Sequence, residues 1–60
     1  MQKSDMSIYD ACQLIINDMY GKKKRNLLEA YTRIFFRYRF NYSFNEIKEY
    51  LFHHDIRKAN

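Results

Sequence analysis

The sequence predicts an all-α fold: one compact three-helix domain over residues 1–60, with helices at about 7–20, 26–39 and 43–54. Three observations carry that expectation. The chain contains no proline and a single glycine, so helix breakers are scarce. Apolar residues recur at three- and four-residue spacing in three separate stretches. Each stretch is preceded by Ser or Asn with an acidic residue three positions on, the arrangement of a capped helix N-terminus.

The first helix is expected to start at Ser7, with Asp10 in the approximate capping-box position. Ile8, Ala11, Cys12, Ile15, Ile16 and Met19 then share one face, and Asp10, Gln13, Asn17 and Asp18 the other. Gly21 is the expected C′ residue. After the basic run Lys22 to Arg25, Asn26 caps a second helix with Glu29 as its reciprocal partner. Leu27, Leu28, Ala30, Tyr31, Ile34, Phe35 and Tyr38 form a broad apolar face. The third helix has the clearest start. Ser43 and Glu46 make a capping box, and Tyr42 and Ile47 stand where a hydrophobic staple would hold it. Phe44, Ile47, Tyr50, Leu51 and His54 line its face, and Asp55 to Asn60 are expected to fray.

A competing signal runs from Phe36 to Phe44, where apolar and polar residues alternate as in a strand. A strand there would open a ribbon-helix-helix arrangement. It would also absorb Ser43, break the best cap in the chain and truncate the second helix at Phe35. Helix, then turn, is therefore the expectation for this segment.

A chain this short buries only about 60% of the surface its unfolded form exposes. Disulfides, metals or oligomerisation commonly make up the deficit. Cys12 is the only cysteine, and no zinc-like spacing of Cys and His occurs. Oligomerisation, or docking on a partner, is the expected remedy. The lone cysteine, with no signal peptide and no long apolar run, points to a cytosolic address and counts against a membrane as the partner. The aromatic load suits interfaces: six Tyr and five Phe make up 18% of the chain.

Charge is unevenly placed. Residues 1–20 carry −2, residues 21–41 carry +6, and residues 42–56 carry −2, within a net charge of +4. The basic middle consists of Lys22, Lys23, Lys24, Arg25, Arg33, Arg37 and Arg39 against Glu29, and Arg57 and Lys58 follow in the tail. Attraction between middle and flanks within the fold is one consequence; affinity for an anionic partner is the other.

No catalytic constellation emerges, so no enzymatic activity and no cofactor is expected. His53-His54-Asp55 invites a metal reading, but adjacent helical residues point about 100° apart. Glu49 and His53, four apart, would supply two ligands where a metal needs three or four. Cys12 lies on an apolar face, where a buried structural thiol is the default. Gly-rich phosphate loops, nucleophile motifs and carboxylate pairs are lacking.

What remains is a binding surface. Arg33 and Arg37 lie four apart on the second helix, with Phe36 and Phe40 beside them on the side away from the main apolar face. With Arg39 they make an aromatic–arginine patch of hot-spot composition. Leu14 and Phe52 also fall off their helices' main faces. The expectation is a small non-enzymatic regulatory protein, self-associating, that binds another protein and modulates it sterically through Phe36, Phe40, Arg33, Arg37 and Arg39. A transcription regulator, or transcription or replication machinery, is the expected kind of target, and a mobile genetic element would suit so short a chain. The alternative is a DNA-binding regulator contacting phosphates through Lys22, Lys23, Lys24 and Arg25 and the second helix. The stretch Ser43 to Leu51 has a helix-turn-helix flavour. Its exposed side would offer Glu46 and Glu49 to phosphates, however, which argues against the third helix as a reader. A purely structural, self-associating subunit is the third class.

Overall fold

The computed structural model of the chain describes residues 5–54. The expected fraying at 55–60, and the charges on Lys3, Arg57 and Lys58, lie outside the described residues. Three helices follow one another: α1 (Ile8–Met19), α2 (Leu27–Tyr38) and α3 (Phe44–His54). Their caps are the residues the sequence marks. Asp10 N–H donates to Ser7 Oγ at 3.1 Å. Asn26 and Glu29 form a reciprocal box, with Glu29 N–H to Asn26 Oδ1 at 2.8 Å and Asn26 N–H to Glu29 Oε1 at 3.3 Å. Ser43 and Glu46 repeat it at α3, at 3.1 and 2.8 Å.

Among the described residues there is no strand, only an isolated antiparallel bridge between Tyr20 and Lys24. The alternating run that resembles a strand is divided between two structures. Phe36 to Tyr38 complete α2, and the chain then turns into the Ser43 cap. Arg39 makes that turn. It adopts the left-handed conformation, φ 57° and ψ 40°, and donates its N–H to Phe35 O at 2.7 Å. A left-handed residue at a helix end satisfies carbonyls that have lost their intrahelical partners. Glycine would do so without strain; a residue with a Cβ pays roughly 1–2 kcal/mol.

Gly21 does not play the role expected of it. Its φ is not positive, and α1 is closed by Tyr20, whose N–H reaches Ile16 O at 3.1 Å. The reason for glycine is close approach: a Cβ there would stand 3.3 Å from Asn17 O.

The core comprises Ala11, Cys12, Ile15 and Ile16 of α1, Ala30 and Ile34 of α2, Ile47 of α3, and Phe40 from the α2–α3 turn. α1 packs against both other helices. Around Phe40 gathers an aromatic layer: the rings of Phe35, Tyr31 and Tyr42 lie 5.5, 5.8 and 5.9 Å away, and Phe44 lies 5.5 Å from Tyr31. Edge-on and offset rings at such distances each add to area burial. Two tyrosine hydroxyls tie the layer to the backbone. Tyr31 donates to Tyr42 O at 2.8 Å, and Tyr42 donates to Met6 O at 3.0 Å. Among the described residues, no helix is long and apolar enough to cross a membrane.

Candidate interaction surface

The residue spacing of α2 divides it into two unequal stripes. Leu27, Ala30, Tyr31, Ile34 and Tyr38 turn toward α1 and the aromatic layer. Leu28, Thr32 and Phe36, each four residues from the next, run down the solvent side and are all exposed. Side chains at this spacing neighbour one another along a helix. Phe36 is 61% exposed and Leu28 57%. Neither belongs to the core, although Leu28 reads from the sequence as part of the main apolar face. Leu27 and Leu28 project about 100° apart, so one facing the core leaves the other outside.

Phe40 is the main correction. The expectation pairs it with Phe36 on an exposed back face, but it is 2% exposed and is the largest fully buried side chain. Helical spacing fails because the helix has already ended. The left-handed turn at Arg39 redirects the chain, so Phe40 enters the core from the turn and not from the helix surface.

The arginines have distinct circumstances. Arg39 lies over Phe36, its guanidinium carbon 5.8 Å from the ring centroid, and its Nε donates to Phe36 O at 3.3 Å. Arg37 is exposed and borders a groove between α1 and α2 with Leu14, Asn17, Asp18, Arg33, Ile34 and Tyr38. Arg33 is turned toward α1, where its Nε donates to Asp18 Oδ2 at 3.0 Å with half its side chain exposed. A second groove, which Arg33 also borders, is lined by Arg25, Leu28, Glu29 and Thr32. The outer face of α2 is thus an apolar stripe bordered by guanidinium groups, with Glu29 engaged in its own helix cap.

The basic run also has two kinds of member. Arg25 is a structural residue. Its guanidinium approaches Asp18 Oδ1 at 3.6 Å and donates to Lys23 O at 3.4 Å, while its N–H donates to Met19 O at 3.2 Å. Lys22, Lys23 and Lys24 are exposed. Attraction between the basic middle and acidic flank, foreseen in general terms, is concentrated on Asp18, which takes two arginines.

The remaining candidates lie on α3. Glu49 and His53 meet at 3.1 Å, both largely exposed, and His54 stacks on Tyr50 at 4.1 Å. Among the described residues, no group of three or more potential metal ligands converges. Cys12 is fully buried on α1, and burial pushes its thiol from 9.0 up to about 11. Phe52 is 83% exposed. No family model, no curated protein and no solved structure matches this chain.

Proposed function

We propose that the protein is a small non-enzymatic regulator that binds an acidic, partly apolar surface of another protein through the outer face of α2 and acts by covering it. The observation that carries this reading is the Leu28–Thr32–Phe36 stripe with Arg33, Arg37 and Arg39 along its borders. Aromatic and arginine side chains dominate the energetics of protein interfaces. Guanidinium groups around an apolar centre favour a carboxylate-rimmed partner and penalise a basic one. The strain carried by Arg39 supports the same reading. Glycine would close α2 more cheaply, whereas arginine brings a cation over the exposed ring of Phe36.

Transcription regulators, or transcription or replication machinery, are the targets that suit a steric modulator of this size. The compartment is taken to be cytosolic, since one lone cysteine suits reducing surroundings. Self-association is assigned to the third helix, where Phe52 leaves a large ring in water.

The test is affinity capture from host lysate, with nuclease present, comparing the wild-type chain with Leu28→Ser/Phe36→Ala. A discrete partner protein retained by wild type and lost by the double variant is expected. Equal retention by both would remove α2 as the docking face.

A further inference from the structure

We propose that Lys22, Lys23 and Lys24 form a contact for the phosphate backbone of a nucleic acid, distinct from the apolar stripe of α2 and independent of the partner assigned to it. Four consecutive cations in a loop are ordinarily a solvated run. Here the loop is built. The Tyr20–Lys24 bridge closes it across its base, and the Arg25 N–H holds it to Met19 O at 3.2 Å. Arg25, whose side chain is only 22% exposed, fastens it to Asp18 from below.

The four cations therefore divide their labour. Arg25 is turned inward as the lock, and the three lysines are presented on a fixed knuckle. Among the described residues, none of the three lysines has a carboxylate within ion-pair distance. Asp18, the carboxylate that anchors the loop, is already taken by Arg25 and Arg33. Three ammonium groups on neighbouring residues repel one another, and a run of backbone phosphates lying against them relieves that repulsion.

The chemistry selects phosphate over an acidic protein surface. Positions 22–24 hold no apolar side chain to anchor a protein hot spot. Lysine is a compact point charge that pairs with single phosphate oxygens along a strand. Contacts of this kind position a protein on a strand without reading sequence. Because the loop is held in advance, little of the binding energy goes into ordering it.

The test uses the full chain and fluorescence anisotropy with a mixed-sequence duplex DNA and a single-stranded RNA of the same length. Three phosphate contacts predict an affinity loss of about 40-fold on duplex DNA between about 50 and about 200 mM salt, and about 20-fold on single strands. The arm that binds more tightly identifies the source of the phosphate. Lys22→Gln/Lys23→Gln/Lys24→Gln should abolish both the binding and its salt dependence, with an unchanged circular dichroism melt. Ser7→Asp/Tyr9→Glu/Gln13→Glu removes the same three units of charge at the N-terminal end of α1, keeps an oxygen acceptor at the helix cap and should bind as wild type does. Equal loss in the two variants, wild-type binding by the lysine variant, or no nucleic-acid binding at low salt would each overturn the proposal. Capture by phosphatidylserine vesicles, without any binding to either nucleic acid, would overturn it as well.

Discussion

Truncating two phenylalanines four residues apart should have very unequal consequences, and the difference can be worked from their surroundings. Phe40 is 2% exposed among the rings of Tyr31, Phe35 and Tyr42. Removing a buried phenylalanine ring costs roughly 3–5 kcal/mol, from lost transfer energy and the cavity left behind. At the usual 0.05–0.15 kcal/mol per residue, a domain of 60 residues has only about 3–9 kcal/mol of stability. Phe40→Ala should therefore consume most of the stability or all of it. Phe40→Leu keeps apolar contact in the layer and should fall between that variant and wild type. Phe36 is 61% exposed and meets the protein mainly through Phe35 and Arg39, so Phe36→Ala should cost about 1 kcal/mol or less. Urea titration followed by far-ultraviolet circular dichroism reads all three. A Phe40→Ala protein within about 1 kcal/mol of wild type, or a Phe36→Ala protein damaged as badly as Phe40→Ala, would refute this account of the turn.

Two further perturbations test other parts of the structure. The Cys12 thiol ionises near 9.0 when unfolded and only near 11 when buried, so the unfolded chain releases its proton first as pH rises. Its contribution is constant below about pH 9 and should then fall by about 1.4 kcal/mol per pH unit up to about pH 11. The stability difference between wild type and Cys12→Ala should shrink by about 2–3 kcal/mol across that window; a flat difference would show that the thiol is not sealed. Arg39→Gly should relieve the left-handed strain at a cost in unfolded-state freedom, for a net gain of up to about 1 kcal/mol. In a domain of this size that gain raises the melting temperature by about 4–8 °C, measurable by calorimetry. A lower melting temperature would mean that the Arg39 contacts with Phe36 outweigh the strain.

The helices were legible in the sequence because their determinants are local. Asn26 with Glu29 and Ser43 with Glu46 lie three residues apart, and the buried positions of α1 follow its apolar period. Phe40 was not legible, because one left-handed residue decides whether the next points from a helix surface or into the core, and arginine rarely takes that conformation. Glycine was the natural choice for such a position, yet Gly21 has a different duty and Arg39 does the turning. Leu28 was misplaced because adjacent leucines carry no mark of which one faces inward. The two partners of Asp18 lie 7 and 15 residues away, on different elements, and no spacing rule joins them. Of the aromatic–arginine patch, Phe36, Arg37 and Arg39 are on the surface as expected, Arg33 is shared with Asp18, and Phe40 is lost to the core.

Asp18 also settles how α1 can end at all. It lies in the last turn, at the negative end of the helix macrodipole, where a carboxylate is disfavoured by roughly 0.3–1 kcal/mol. That turn contains no basic residue of its own. The compensating positive charge comes instead from outside the helix, from Arg25 in the loop and Arg33 on α2. The terminus of one helix is thus completed by groups that reach it only after the chain has folded back. Helix end and basic loop are consequently a single electrostatic unit, and a change that frees the loop leaves Arg33 alone to offset Asp18 at the last turn of α1.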